Sequence, residues 1–305
     1  MLHSAPPTRM GILGTPDSPY VIDLQRAAHE RSIETVVLRY GDLQASIGVV
    51  DNSLLSPPID TLIVRSMPLG SLEQVIFRMD CLQVWECRGI TVLNPPRALE
   101  TAIDKWLTLH RLNEAGIPVP ATIACQSRAA AMEAFRSLGG DVLVKPLFGG
   151  EGRGIVRLQD EDTAWRVLGT LQQVGQVLYV QQFAEHFGYD IRVLFIGDRI
   201  FSVKRRAAPD QWRTNVAIGG SAEPHRLSET EMDLAQRAAT AVGGSILGVD
   251  LLPCRDGRLL TLEVNAVPGW RGLGAALNVD IAAEVISHAL QETGEMGQES
   301  PIVSY

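Results

Sequence analysis

Lysine is the residue that this sequence most conspicuously lacks, with three lysines against 24 arginines in 305 residues. A lysine is a compact charge on a flexible stem and suits a phosphate group, whereas an arginine is a planar fork. Lys105, Lys145 and Lys204 are therefore candidate phosphate contacts. Taken alone, the count is equally compatible with three lysines left over by chance.

Cysteines and long apolar runs are also scarce. The four cysteines form no CxxC pair and show no zinc-finger spacing, and we expect Cys81 and Cys87 to be small core residues of a predicted helix. No apolar run approaches the roughly 20 residues needed to cross a bilayer. The first ten residues lack the basic-then-apolar pattern of a signal peptide. We expect a cytoplasmic protein without a membrane partner.

The motifs of several large enzyme classes are missing. The first predicted strand ends at Gly14, which Thr15 and Pro16 follow, so no GxGxxG loop is present. The sequence also contains no GxxxxGK[ST] phosphate loop, no HExxH pair and no GxSxG turn. These absences argue against a Rossmann dehydrogenase, a zincin and an α/β-hydrolase. The net charge of −8 argues against a nucleic-acid partner.

Predicted strands and helices alternate over the first hundred residues. Residues 10–14, 35–40, 61–65 and 90–93 form short apolar runs, three of them rich in β-branched residues. Residues 71–87 carry an apolar stripe with a period of about 3.6 residues, formed by Leu72, Val75, Ile76, Met79, Leu82 and Val84. Such alternation predicts a small parallel sheet with helices on its faces.

Consecutive prolines at Pro95 and Pro96 mark the first domain boundary, because they end regular structure. Beyond it we predict one helix over 96–115, strands over 121–124 and 142–146 around a helix over 127–138, and a strand-rich remainder with late helices over 228–241 and 280–291. The fold class is therefore α/β (α+β). We predict domains over residues 1–95, 96–182 and 183–292, with a loose tail over 293–305.

The most informative segment is a predicted hairpin with Asp256 and Gly257 at its turn. Counting outward pairs Cys254 with Leu259 and places Asp250 directly opposite Glu263, and Asn265 projects from the same face. Like charges at opposed positions are destabilising unless a cation lies between them. Oxygen ligands of this kind favour Mg²⁺ or Mn²⁺. A solvated strand face is the alternative interpretation.

A second predicted hairpin turns at Gly197 and Asp198. The same counting places Asp190 opposite Arg205, whereas Lys204 and Arg206 project from the other face. A plain cross-strand ion pair explains Asp190 and Arg205 equally well. Further along, Arg213, Thr214 and Asn215 form a polar segment in which Arg213 is suited to a phosphoryl or carboxylate group.

A glycine-rich stretch lies between two predicted strands, directly after Lys145. It does not match a Walker loop, and no helix follows it. Such a turn can fold over a nucleotide so that its backbone N–H groups reach phosphates, and a mobile hairpin tip is an equally good interpretation. Its residues are Gly149, Gly150, Glu151, Gly152 and Gly154.

Six segments in order resemble one known family. They include IDKWLTLHRLNEAGIPVPAT, LVKPLFGGEGRGIVRL, YVQQFAEHFGYDIRVLFIGDRI and GVDLLPCRDGRLLTLEVNAVPGWRGL. Together they resemble the ATP-grasp carboxylate–amine ligases, and within them the RimK-type α-L-glutamate ligases, from about residue 94 to 290. The resemblance implies a pre-ATP-grasp domain over 1–95 and two ATP-grasp subdomains, over 96–182 and 183–292, that sandwich ATP.

The resemblance also implies roles for individual residues. The nucleotide would be bound by Lys105, Lys145, the glycine-rich stretch, Gln182 and Phe183 at the hinge, Asp190, Arg213, Thr214 and Asn215. Many relatives carry Glu where this chain has Gln182. The metal would be held by Asp250, Glu263 and Asn265. Catalysis would involve Arg213, Arg205 and Lys204, and the substrates would contact Arg206, Trp270 and Arg271, although a packed aromatic and a solvated arginine explain the last two as well.

The implied reaction is ATP- and Mg²⁺-dependent (or Mn²⁺-dependent) amide formation through an acyl phosphate, with two metal ions. The implied partners are a small-molecule or peptide carboxylate and an amino acid, for which we expect L-glutamate. A pterin of the tetrahydromethanopterin type is our first expectation for the acceptor, and a protein tail is another. A kinase acting on a hydroxyl and a non-catalytic nucleotide-binding module remain alternatives. Relatives are commonly dimers or tetramers, so we expect a homo-oligomer.

Overall fold

A computed structural model describes residues 9–48, 59–149, 153–209, 211–214 and 220–296. Its first unit is a four-stranded parallel sheet with strand order β2-β1-β3-β4. The parallel sheet predicted from the sequence is confirmed. Its elements are β1 (Arg9–Leu13), α1 (Pro19–His29), β2 (Glu34–Leu38), a 3₁₀ turn (Tyr40–Asp42), β3 (Thr61–Val64), α2 (Leu72–Cys87) and β4 (Thr91–Leu93).

The apolar stripe of α2 is only partly buried, contrary to what its period suggests. Met79 and Leu82 lie in the core, but Leu72, Ile76 and Val84 are exposed. Periodicity identifies the helix correctly, since α2 also has the Ser71 capping box expected of a helix start. It does not tell which part of the stripe another element covers.

The second unit is an antiparallel sheet of order β5-β8-β6-β7. The predicted helix over 96–115 is two helices, because the Asp104 carboxylate accepts hydrogen bonds from the N–H groups of Trp106 and Leu107 and starts a new helix. Helix α6 was not predicted. The elements are α3 (Pro96–Ile103), α4 (Lys105–Glu114), β5 (Thr122–Cys125), α5 (Arg128–Ser137), β6 (Val142–Lys145), β7 (Val156–Leu158), α6 (Glu161–Gln173) and β8 (Leu178–Gln182).

The third unit is an antiparallel sheet of order β11-β10-β9-β12-β13. Helix α9 continues to Met296, which corrects the predicted helix end at 291 and the loose tail from 293; residues 297–305 lie outside the described residues. The elements are β9 (Tyr189–Ile196), β10 (Arg199–Arg206), β11 (Ser221–Pro224), α7 (Glu229–Val242), β12 (Ile246–Pro253), β13 (Leu259–Asn265), α8 (Arg271–Leu277) and α9 (Ile281–Met296).

The third sheet carries apolar side chains on both faces. One face packs with α7 and the α3–α4 region, through residues such as Val193 and Val249. The other face packs with α8 and α9, and α9 in turn packs with α1 of the first unit, in a cluster that includes Leu194 and Ile196. The carboxylates described below lie on this second face. In the described part of the chain, no single helix is long and apolar enough to span a membrane, and α8 with α9 passes that test only as a pair bent by 107°.

Asn94, at the predicted domain boundary, joins the first and third units. Its side-chain amide donates to the carbonyl groups of Ile246 and Ala266, both at 2.7 Å. Its carbonyl oxygen accepts from the N–H groups of Ser245 and Ile246, both at 2.8 Å. A fully buried amide with four hydrogen bonds is a strong positional constraint, so the boundary residue fixes the third sheet against the first.

Candidate active site

Asp250 of β12 and Glu263 of β13 are directly opposite each other, as the sequence predicts. The turn itself differs from the prediction, because Pro253 pairs with Leu259 and the Cys254 N–H donates to the Arg258 carbonyl. A β-bulge between Asp250 and Leu251 restores the predicted register at the carboxylates. The predicted pairing of Cys254 with Leu259 is therefore wrong by one residue, whereas the pairing of the two acids is right.

Asp250 is buried and paired with two arginines. The Arg192 guanidinium donates to both carboxylate oxygens of Asp250, and Arg205 Nη2 lies 2.8 Å from Oδ2. Burial alone would raise the pKa of Asp250, but Arg192 and Arg205 hold it below its ordinary value. Arg192 was missed by the sequence analysis, although its position two residues after Asp190 already placed it on the same strand face.

Arg205 is also the partner of Asp190, as predicted from the second hairpin. Its Nε and Nη2 donate to the two Asp190 oxygens at 2.7 and 2.6 Å. The Thr214 hydroxyl donates to Asp190 as well, at 2.5 Å. Burial lowers the pKa of Arg205, but the carboxylates of Asp250 and Asp190 outweigh it and raise the pKa above its ordinary value.

Glu263 stands apart from this network. It is half-buried, and within the described ranges it makes no hydrogen bond or ion pair. Burial and the neighbouring Asp250 carboxylate raise the pKa of Glu263, against the opposing pull of Arg192, Lys145 and Lys105. A half-buried carboxylate that faces a second carboxylate and has no partner of its own is a site that a cation would stabilise.

The donors around Glu263 fit a hard divalent cation. Asn265 lies on the same strand, and its side-chain oxygen accepts one hydrogen bond, from the Val267 N–H at 2.9 Å, which leaves a second lone pair. Among the described residues no group of three or more His, Cys, Asp or Glu side chains is arranged for a metal. The candidate ligands Asp250, Glu263 and Asn265 are two carboxylates and one amide, and all three offer oxygen atoms, the donors that Mg²⁺ prefers.

Two of the three lysines lie near Glu263. Lys145 ends β6, and its ammonium group donates to the Gln181 side chain at 2.6 Å. Lys105 begins α4 and donates to the carbonyl groups of Gly149 and Leu147 at the start of the glycine-rich stretch. Burial lowers the pKa of Lys145 to about 8 and also lowers that of Lys105, while Glu263 opposes both shifts. This pair of cations is suited to phosphate oxygens.

The glycine-rich stretch is described only at its two ends. Gly149 has φ +110° and Gly154 has φ +72°, which are conformations that favour glycine. Arg213 Nη2 donates to the Ile155 carbonyl at 2.6 Å, so a predicted phosphate contact touches the base of this stretch. The predicted site residues Gly150, Glu151, Gly152 and Asn215 lie outside the described residues.

A model of the RimK-like ATP-grasp domain family matches residues 102–289, which is more than half of the chain. The chain belongs to the RimK-like ATP-grasp family. The matched range contains the two lysines, both hairpins and all three predicted metal ligands. The family predicted from the sequence is confirmed.

Curated relatives of this ATP-grasp chain extend the likeness to its first domain. The tetrahydromethanopterin:alpha-L-glutamate ligase of Methanosarcina acetivorans is 32% identical over 298 residues, which cover 88% of this chain and 90% of that protein. A probable alpha-L-glutamate ligase of Histophilus somni is 35% identical over 238 residues and 77% of each chain. The predicted enzyme class is confirmed: this chain is an ATP-dependent carboxylate–amine ligase.

Solved ATP-grasp structures share the fold. A RimK domain ATP-grasp protein from Sphaerobacter thermophilus superposes with a TM-score of 0.73 at 21% identity, over 93% of this chain and 100% of that one. The ATP-grasp ligase PsnB, complexed with a minimal precursor, Mg and ADP, gives a TM-score of 0.71 at 23% identity, over 93% and 97%. The fold class is thereby confirmed, and ATP and Mg²⁺ are supported as the ligands of this fold.

The predicted hinge residues of this ATP-grasp chain lie at the end of β8. The Gln182 N–H donates to the Ala121 carbonyl at 2.8 Å, and the Phe183 N–H donates to the Asp141 carbonyl at 3.0 Å. Both N–H groups are engaged within the protein, which leaves a ligand only the other groups of these residues. A small apolar cluster next to the hinge was not predicted; it consists of Leu252, Cys254 and Leu260 with Ala184 and Leu262.

Lys204 and Arg206 do not join the site of this ATP-grasp ligase. They alternate with Arg205 along β10 and so project from the opposite sheet face. Lys204 Nζ lies 3.9 Å and Arg206 Nη2 lies 2.8 Å from the Glu223 carboxylate of β11. The structure does not bring them to the carboxylates, and the roles of Lys204 in catalysis and of Arg206 in substrate binding stay predictions.

Trp270 is a packed aromatic, as the plainer interpretation had it. It is 2% exposed, its indole N–H donates to Asp23 at 3.2 Å, and its ring lies edge-on to Tyr20 at 5.1 Å. Arg271 is exposed and lines a surface groove of about 500 Å³ with Asp23 and Trp270. A role for either residue toward the acceptor stays a prediction.

Proposed function

We propose that this ligase adds L-glutamate to a carboxylate of a pterin-type coenzyme, with hydrolysis of ATP to ADP and phosphate. The relative from Methanosarcina acetivorans, which is named for tetrahydromethanopterin and glutamate, supports this choice because it aligns over both chains nearly from end to end. Because it covers 88% of this chain, the alignment includes much of the first domain, which lies outside the matched family range.

The observation that carries the proposal is Glu263, which lies opposite Asp250 beside two half-buried lysines and has no hydrogen-bond or ion-pair partner among the described residues. A binding module needs no excess of negative charge at this point. A phosphoryl-transfer site does, since Mg²⁺ held there neutralises phosphate oxygens during transfer. Asp250, Glu263 and Asn265 would hold it, and we propose two ions.

The chain's own groups supply binding and charge. Lys105 and Lys145 bind phosphate oxygens, and Arg213 connects the nucleotide side of the site to the base of the glycine-rich stretch. Arg205 and Arg192 keep Asp250 ionised and oriented.

The proposed chemistry has two steps. An oxygen of the substrate carboxylate attacks the γ-phosphorus of ATP, the bond to the β-phosphate bridging oxygen breaks, and an acyl phosphate and ADP result. The amino nitrogen of glutamate then attacks the acyl carbon, phosphate leaves, and the amine loses a proton as the amide forms. The enzyme accelerates both steps by holding reactants in line and by neutralising charge.

The test combines purified protein, Mg-ATP and L-glutamate with tetrahydromethanopterin or related pterin acids. We expect ADP and free phosphate only when both organic substrates are present, and a product heavier than the acceptor by one glutamyl residue in mass spectrometry. A phosphorylated product formed without any amine would establish a kinase instead. Glutamylation of a protein tail or another acid, but of no pterin, would reject the pterin as the acceptor and leave the ligase activity in place.

A further inference from the structure

Arg65 lies where an open parallel sheet binds ligands. It follows β3 directly, and Gly14 follows β1 directly, so both lie at the carboxyl ends of neighbouring strands. In the order β2-β1-β3-β4, the chain runs from β1 to β2 on one side of β1 and then crosses to β3 on the other side. The crevice between β1 and β3 is therefore the topological switch point, the usual ligand position in such sheets.

No carboxylate in the described part of the chain neutralises the charge of Arg65. It is only 8% exposed, and Nη1 donates to the Pro268 carbonyl at 3.2 Å. Its guanidinium carbon lies 4.8 Å from the Tyr20 ring centroid and 4.3 Å from that of Trp270. Nε is buried without a hydrogen-bond partner, and no carboxylate of the described residues forms an ion pair with Arg65.

The buried arginines of the third sheet differ from Arg65 in this respect. Arg192 and Arg205 each hold carboxylates through bidentate hydrogen bonds. A buried guanidinium without an anion is costly, and its planar fork is shaped for a carboxylate. Burial lowers the pKa of Arg65 to about 10, so the group still carries its charge at neutral pH.

Arg65 also touches the segment that leaves the metal strand. Pro268 and Trp270 come shortly after Asn265, the last residue of β13. Pro268 lies against Gly248, which is paired with Asn265. A group bound by Arg65 would therefore lie beside the chain segment that connects the two carboxylates to the first domain.

We propose that Arg65, at the carboxyl ends of β1 and β3, is the anion subsite that recognises a carboxylate of one of the two organic substrates. This inference rests on the proposed function, since a ligase that joins L-glutamate to an acid must hold two carboxylate-bearing molecules together. The carboxylate belongs either to the amino acid or to the acceptor, and kinetics with each substrate varied in turn separates these sources.

The test compares Arg65→Gln and Arg65→Lys with Arg78→Gln. Arg78 is a matched control, because it is equally buried, donates to the Pro68 carbonyl at 2.7 Å and lies over the Tyr40 ring, but belongs to α2. We expect Arg65→Gln to raise KM for one organic substrate about 100-fold, while KM for ATP stays within about threefold. Arg65→Lys should recover part of the loss, since it retains the charge and loses the fork.

The substrate whose KM rises identifies the source of the carboxylate. The proposal would be overturned if, for each organic substrate, KM in Arg65→Lys and Arg65→Gln were the same as in the Arg78→Gln control. Arg65 would then be a structural contact between domains. Arg65→Lys keeps the test decisive if Arg65→Gln does not fold.

A calorimetric titration without ATP separates this inference from the proposed function. Glutarate, L-glutamate and the pterin acid are each titrated into the wild-type protein and the Arg65→Lys variant. Binding that weakens in the variant supports the anion subsite even if no glutamylated product forms. Affinities for all three acids that are equal in the two proteins, together with unchanged KM values, would reject it.

Discussion

The two hairpins of the third sheet have the same construction and opposite electrostatics. Across β9 and β10, Asp190 faces Arg205 and the charges cancel. Across β12 and β13, Asp250 faces Glu263 and the charges add. Arg192 of β9 and Arg205 of β10 neutralise Asp250, which leaves Glu263 as the charge that has no ion-pair partner among the described residues.

The difference indicates that one hairpin has a structural role and the other a role in binding a ligand. An opposed ion pair that is fully hydrogen-bonded holds two strands in register and needs no bound ligand. A pair of like charges at the same kind of position costs free energy unless something binds. In this ligase the first hairpin orients Arg205, and the second presents the charge that a metal ion would meet.

The largest expected effect comes from removing the unpartnered carboxylate. We expect Glu263→Gln to lower ligase turnover by more than about 100-fold, because a metal ligand is lost. The same change should remove a pH dependence of stability. Since the folded pKa of Glu263 is raised above its ordinary value of 4.5, the folded state holds this proton more tightly, and wild-type stability without metal should fall as the pH rises from about 4.5 through the raised value.

Urea unfolding with EDTA, measured between pH 4 and pH 8, checks the stability part. Glu133→Gln, at an exposed position on α5, is the control and should leave the pH profile and the turnover unchanged. Equal pH profiles for wild type and Glu263→Gln would contradict the electrostatic account of the second hairpin.

Breaking the neutral hairpin should cost stability. Asp190→Asn leaves Arg205 with one buried carboxylate in place of two, and we expect a loss of about 3 kcal/mol in the free energy of unfolding. Glu223→Gln on β11 disrupts the more exposed contact with Arg206 and should cost less than about 1 kcal/mol. Similar losses in the free energy of unfolding for the two variants would show that Asp190 contributes no more to stability than the exposed Glu223.

The lysines should make ATP binding sensitive to pH. Burial lowers the pKa of Lys145 to about 8, so its charge is present below that value and lost above it. We expect KM for ATP to rise about tenfold between pH 7 and pH 9, by at most tenfold per pH unit above the pKa. Lys145→Gln should bind ATP weakly at both pH values, and a wild-type KM that is flat across this range would contradict the prediction.

The smallest effects distinguish the two turns. Gly257 has φ +87° with open space at its Cβ position, so Gly257→Ala should cost about 1 kcal/mol from backbone strain alone. Gly197 has φ +54°, and a Cβ there would lie 2.7 Å from His288 Nδ1. We expect Gly197→Ala to cost about 2–3 kcal/mol in urea unfolding. Equal costs would show that the His288 ring moves aside freely.

The residue pairs within each hairpin could be predicted from the sequence, by counting outward from the turn. The pairs Asp250 with Glu263 and Asp190 with Arg205 follow from turn residues and strand alternation, and the resemblance supplied the fold. The role of Arg192 could not be predicted in this way. It depends on β9 lying beside β12, and the two partners are 58 residues apart in sequence.

Other differences have equally physical reasons. Asp104 ends one helix and begins another because its side chain competes for backbone N–H groups within an otherwise helical run. The exposed part of α2 and the buried Trp270 depend on which elements cover them, and residue type does not fix that. The hairpin turn shifted by one residue, and only the bulge, which no turn signal encodes, kept the two acids opposed.

That bulge gives the hairpin a tolerance to changes in loop length. It takes up one residue of offset between the turn at residues 254–258 and the two acids, which lie four residues before it and five residues after it. A single insertion or deletion at the tip can be compensated by the gain or loss of this irregularity, while the ends of the strands stay in place. What limits such changes is the contact of the tip with the hinge side, where the Arg255 N–H donates to the Glu185 carbonyl and Cys254 bridges to His186.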